Sequence, residues 1–139
     1  MITVTPEDGM TITRDVAFQP GVYVVPNGIT VGADDVTIEG NGAVLVGADK
    51  RGRGLTINRR RNVTVRNLTL LNYYHGIWAN ACAELHIAGC RVTLTHELPS
   101  PSVFLDVWLP REEAYGGGIF LSGVTDSTVV NNDLHPVSV

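Results

Sequence analysis

Gly54-Leu55-Thr56-Ile57-Asn58, Val63-Thr64-Val65 and Leu68-Thr69-Leu70 follow one another between turns. The same order returns at once as Gly76-Ile77-Trp78-Ala79-Asn80, Leu85-His86-Ile87 and Cys90-Arg91-Val92, with Gly76 standing 22 positions after Gly54. Each run alternates with period 2, which places every second side chain on one face of a strand. Three short strands per unit, repeated without a gap, predict the stacked coils of a parallel β-solenoid.

The pattern extends in both directions. Gly118-Ile119-Phe120-Leu121-Ser122 opens a further unit, continued by Ser127-Thr128-Val129 and Asn132-Asp133-Leu134, after a long insertion. Gly28-Ile29-Thr30-Val31 opens an earlier one, continued by Val36-Thr37-Ile38, Asn41 and Val44. Stacking the units predicts inward columns: Ile29, Leu55, Ile77 and Ile119; Val36, Val63 and Leu85; Ile38, Val65, Ile87 and Val129; Val44, Leu70, Val92 and Leu134. A mixed column, Asn41, Leu68, Cys90 and Asn132, is expected at a corner, where an inward Asn would satisfy turn backbone groups.

Phe18-Gln19-Pro20-Gly21-Val22-Tyr23-Val24-Val25, the run Val36 to Gly42, Gly76-Ile77 and Val129-Val130-Asn131-Asn132 carry a family resemblance. Over residues 17 to 135 the chain resembles the right-handed parallel β-helix superfamily, the pectate-lyase-like fold. The resemblance implies an all-β right-handed parallel β-helix of roughly five or six coils, three short strands per coil, with one long corner insertion. That scaffold carries lyases, hydrolases, epimerases and non-enzymatic fibres, so it implies fold more than activity.

Composition agrees. The chain has 139 residues, 44% hydrophobic and 17% charged, with 15 Gly and no apolar run of helical period. We read one domain, 1–139, with residues 1–16 as a first strand or cap and 97–116 as an inserted loop. The net charge of −4 does not point to nucleic acid. No run is long enough to span a bilayer, and Met1-Ile2-Thr3-Val4-Thr5-Pro6 lacks the basic start and apolar core of a signal peptide; location stays open. No cofactor or metal is expected: two His, His75 and His96, lie near one corner without acids at firm spacing. The two Cys allow one disulfide at most; with Cys90 inward and Cys82 in a turn they read as unrelated thiols.

Charge is uneven. Seven of the ten basic residues lie between Lys50 and Arg66, with no acid between Asp49 and Glu84. One reading is a basic face for a polyanion such as a uronate glycan. The other is pairing across coils: Asp34 and Asp35 fall near Arg60 and Arg61, and Glu39 falls under Arg66. Lys50, Arg51 and Arg53 have no such partner in the register and are the better ligand candidates.

Outward columns give the other candidates. Thr56, Trp78 and Phe120 share one column, and Asn58, Asn80 and Ser122 the next. Aromatic plates beside amides and hydroxyls are what a sugar ring requires; alternatively, a loop covers the aromatics and the patch is a satellite core. The insertion leaves the same corner as Lys50 to Arg53 and Tyr73-Tyr74-His75, which gathers those residues with His96, Glu97, Asp106, Trp108, Arg111, Glu112, Glu113 and Tyr115. His, Tyr and carboxylates there would support proton abstraction beside a uronate, with Arg neutralising charge; equally, they form a solvated rim. No catalytic residue is assigned, since neither a paired-aspartate constellation nor a calcium cluster with a following Arg is visible. His86, between Thr64 and Thr128, reads as a surface residue, and Arg91 shares its outward column with Asp133.

Three functions remain open on the sequence. The first is a carbohydrate-interacting β-helix domain, the N-terminal part of a lyase-, epimerase- or hydrolase-like protein, binding an acidic oligosaccharide or polysaccharide. The second is a structural module that self-associates through its C-terminal end without catalysis. The third is an inactive fragment of a larger enzyme. Residues after Leu134, His135-Pro136-Val137-Ser138-Val139, hold no capping helix, so the last coil is expected to present an open apolar end.

Overall fold

The computed structural model describes residues 1–49, 51–93, 117–130 and 133–135. Among the described residues, sixteen strands build three parallel sheets. Sheet 1 stacks β2 (Thr11–Ile12), β5 (Ile29–Val31), β8 (Arg53–Asn58), β11 (His75–Asn80) and β14 (Gly117–Ser122). Sheet 2 stacks β1 (Ile2–Val4), β3 (Val16–Phe18), β6 (Thr37–Glu39), β9 (Thr64–Arg66), β12 (His86–Ala88) and β15 (Thr128–Val130). Sheet 3 stacks β4 (Val22–Val24), β7 (Val44–Val46), β10 (Thr69–Leu71), β13 (Arg91–Thr93) and β16 (Asp133–His135). The chain visits sheets 1, 2 and 3 in turn, so five coils of a parallel β-helix result, with β1 added to sheet 2 ahead of the first. Among the described residues there is no helix.

The interior consists of the predicted columns. Leu55 pairs with Ile29 and Ile77, and Ile77 with Ile119. Val65 stands between Ile38 and Ile87, and Ile87 meets Val129. Leu55, Ile77, Ile38, Val65 and Ile87 are fully buried, each contributing on the order of 1.5–3 kcal/mol through burial of its apolar side chain.

One column differs from expectation. Leu70 pairs with Leu45, not Val44, and Leu45 is the buried residue. The cause lies at the preceding corner. The Gly40 amide donates to the Arg66 carbonyl and the Thr69 amide to the Ala43 carbonyl, so Asn41 and Gly42 are extra residues at a corner that the next coil turns without them. Both have positive φ, 52° and 75°. The predicted columns allowed for one extra residue and the structure has two; that one-residue difference exchanges the faces of the strand, and buried Ala43 takes the inward place that the sequence assigned to Asn41. Asn41 is exposed, with its side-chain amide donating to the Phe18 carbonyl at 3.1 Å. Asn132 lies outside the described residues.

The repeated glycines set where the sheet 1 strands bend. The register runs from His75 with Arg53 directly to Ile77 with Leu55, stepping over Gly54 and Gly76. A Cβ on Gly76 would stand 2.1 Å from Val92 Cγ1, and one on Gly54 2.5 Å from Leu70 Cδ2. Only glycine lets the neighbouring strand of sheet 3 approach this closely. Across the bend, His75 and Trp78 both reach the ring of Phe120.

Candidate functional site

The outer face of sheet 1 carries the residues the sequence singled out. Thr56, Trp78 and Phe120 are register partners, as are Asn58, Asn80 and Ser122. The Asn80 side-chain amide donates to Asn58 Oδ1 at 3.1 Å, which fixes the amide ladder. Asn58 is exposed, and Asn80, Ser122 and Phe120 are half-buried.

Trp78 does not offer a bare ring. It is 8% exposed. The Arg53 guanidinium, from the coil below, sits 3.7 Å from its centroid. The Phe120 ring, from the coil above, stacks at 6.3 Å with an 8° interplanar angle. The guanidinium of Arg53 thus lies over the indole, an arrangement worth ~0.5–2 kcal/mol, which restrains a side chain that otherwise samples many rotamers. Beside it, His75 is buried, its ring 4.8 Å from Tyr74 edge-on and 5.1 Å from Phe120. Tyr74 is half-buried.

Tyr73 leaves the site. The sequence placed it on the corner edge, but its ring is fully buried, and its hydroxyl donates to the Val25 carbonyl at 2.8 Å. Burial pushes its phenol well above the usual tyrosine range. Its volume fills the corner beside Gly47 and Gly54, where an added Cβ would meet the ring at 2.5 Å and 2.9 Å.

Arg51 is exposed at the same corner. Lys50, Trp108, Glu112 and Tyr115 lie outside the described residues, as do His96, Glu97, Asp106, Arg111 and Glu113. Across the face, the turn after β8 adds Arg59, which is also exposed. The outer face of the third coil is thus bordered by Arg51 and Arg53 on one side and Arg59 on the other.

The remaining basic residues are partly taken up by the coils. Arg66 Nε donates to Glu39 Oε1 at 2.9 Å. The Asp pair acts otherwise than expected: Asp34 accepts the Arg61 backbone amide at 3.0 Å, and Asp35 accepts the Asn62 side chain at 2.9 Å. The Arg61 guanidinium lies 3.9 Å from Glu84 instead. His86 is a ladder residue, with Nδ1 at 2.8 Å from Thr128 Oγ1. Cys82 and Cys90 are both buried and neither is in a disulfide, and burial raises the Cys90 thiol pKa.

Among the described residues, the outer face of sheet 1 holds no carboxylate, and no three His, Cys, Asp or Glu converge as a metal group. Hydrolysis of a glycoside by the usual route requires two facing carboxyl groups. Among the described residues, the chemistry present on this face is cationic, amide, hydroxyl and aromatic. The sequence missed the role of Arg53 because its partner, Trp78, stands one coil away, in the adjacent outward column.

Fold and face together define a parallel β-helix domain with a polar-aromatic outer face on sheet 1. Comparison with protein families, with curated proteins and with solved structures finds no match to this chain.

Proposed function

We propose that this domain binds an acidic oligosaccharide across the outer face of sheet 1, as part of a carbohydrate-interacting β-helix protein of the pectate-lyase-like type. The observation that carries the reading is Arg53 held at 3.7 Å on Trp78 beside the Asn58–Asn80 amide ladder. A guanidinium presents a planar fork that matches a sugar carboxylate, and restraint by the indole reduces the entropy lost on binding. Asn58, Asn80 and Ser122 supply donors and acceptors for hydroxyls at coil spacing, ~4.8 Å. Arg51 and Arg59 extend the positive charge to both sides. The absence of carboxylates on the described face favours binding over hydrolysis at this point of the chain.

The test is calorimetric titration with a uronic-acid oligosaccharide and its neutral counterpart. The acidic ligand should bind, with affinity falling as salt rises, and the neutral one should bind more weakly. Arg53→Gln should weaken the acidic ligand at least ~10-fold, a loss of ~1.4 kcal/mol. Equal affinity for the acidic and neutral ligands, or no effect of Arg53→Gln, would overturn the proposal.

A further inference from the structure

The cations described along the sheet 1 face come from one coil. Arg51, Arg53 and Arg59 all belong to the third coil, before, on and after β8. The layers around it differ. On the same face the second coil places exposed Thr30 beside Thr56, and the first places exposed Thr11 beside Thr30. At the corner that follows sheet 1, the third coil carries Arg59, Arg60 and Arg61. There the second coil carries Asp34 and Asp35, the fourth Glu84 and the fifth Asp126, while the first holds Arg14 next to Asp15. Asp35, Asn62, Glu84 and Asp126 all have positive φ, and Arg61, Ala83 and Thr125 are bridged in sequence, so these corners are equivalent layer by layer.

A charged band of this shape has a direction. It runs along β8, across the axis of the stack. A polyanion lying along the axis over Arg53 would meet next the neutral column of Thr56, Thr30 and Thr11. One lying along β8 meets the Arg53 guanidinium over Trp78, then the Asn58–Asn80 amide pair, then exposed Arg59. At that corner the acids of the neighbouring layers repel it, which keeps it on the third coil. Arg51 adds less, because exposed Asp49 shares its corner.

Spacing sets the number of charges. Trp78 is in register with Thr56, and Arg59 stands three residues beyond Thr56, up to ~10 Å along the backbone. A single uronate has one carboxylate and serves one of these cations. Carboxylates on two sugars of a chain serve both. We infer that the ligand is an oligouronide lying along β8, across the stack, with carboxylates of different sugars on Arg53 and Arg59. This rests on the glycan reading of the face and adds to it the ligand's direction and its need for more than one charge.

The experiment is titration of the isotope-labelled full chain, followed by amide NMR shifts, which read weak and tight binding alike. The probes are a uronic acid monosaccharide and the linear tetrasaccharide of the same sugar. With the tetrasaccharide, shifts should spread along residues 53–59 and leave Thr11 and Thr30 unmoved. Arg53→Gln should weaken both probes. Arg59→Gln should weaken the tetrasaccharide roughly 3- to 10-fold and leave the monosaccharide unchanged; the side chain is exposed, so the melting curve should match wild type. Shifts that run through Thr30 to Thr11, or an Arg59→Gln variant that binds the tetrasaccharide like wild type, would overturn the inference and leave the glycan reading standing. An equal effect of Arg59→Gln on both probes would do the same, reducing Arg59 to a diffuse charge. No effect of Arg53→Gln on either probe would remove the glycan reading, and this inference with it.

Discussion

Trp78→Ala removes a side chain that is 8% exposed and contacts both neighbouring coils. Truncation of a buried Trp costs about 3–5 kcal/mol, and the loss of the Arg53 and Phe120 contacts is contained in that figure. The unfolding entropy is roughly 2 cal/mol/K per residue, or ~0.3 kcal/mol/K for this length. The melting temperature should therefore fall by roughly 10–17 °C. Thermal unfolding followed by far-UV circular dichroism reads the shift. Fluorescence provides a second check: with Trp108 replaced by Phe, the remaining Trp78 emission should resist acrylamide. A melting shift below about 3 °C, or free quenching of Trp78, would refute the packing argument. A bare sugar platform would then be restored as the reading of this ring.

Two further outcomes follow from local geometry. Burial alone would raise the Glu39 pKa and is the largest single influence on it; the Asn41 amide, the Asn67 side chain and Arg66 together outweigh it and hold the carboxyl below its usual range. Because the folded value is depressed, the stabilisation is complete above the ordinary glutamate pKa of ~4.3 and is lost as pH falls through the folded value. Glu39→Gln should thus reduce stability at pH near 7 by ~0.2–1 kcal/mol and flatten the acid limb; urea melts at neutral and acid pH that differ equally from wild type would contradict this. Gly76→Ala should destabilise by at least ~1–3 kcal/mol, since its Cβ would lie 2.1 Å from Val92 Cγ1 and 2.9 Å from the Gly118 carbonyl oxygen; a wild-type melting curve would show that the sheet 1 strands do not need glycine at the bend.

The fold was legible because the information lies in local alternation. Leu55 and Ile57 alternate with Thr56 and Asn58 at period 2, and the same phase recurs at Ile77 and Ile119, so a strand's inner face can be read without its partners. Where alternation fails, the reading failed with it. Val44-Leu45-Val46 is apolar throughout, so nothing in the strand marks the face, and Asn41-Gly42 adds two residues where the predicted columns allowed one, which puts that column out by one. Tyr73 was misplaced for a related reason: Asn72-Tyr73-Tyr74-His75 has the composition of a surface turn, and the cavity that accepts the ring is made by glycines from other coils. The burial of Trp78 was not legible because Arg53, its cover, becomes a neighbour only once two strands are stacked.

The corner at Asn41-Gly42 has a wider consequence. Vertical neighbours are 22 residues apart at Asn58 and Asn80, 27 at Glu39 and Arg66, and 42 at His86 and Thr128, yet each pair is one strand apart in space. Chain length between layers is thus decoupled from the layers themselves. Corners lie at the surface and tolerate added residues, and a Cβ on Gly42 would meet nothing within 4 Å. Lineages descending from such a chain are free to lengthen, shorten or redecorate a corner while every ladder rung stays in place, so new surface chemistry arises without renegotiating the interior.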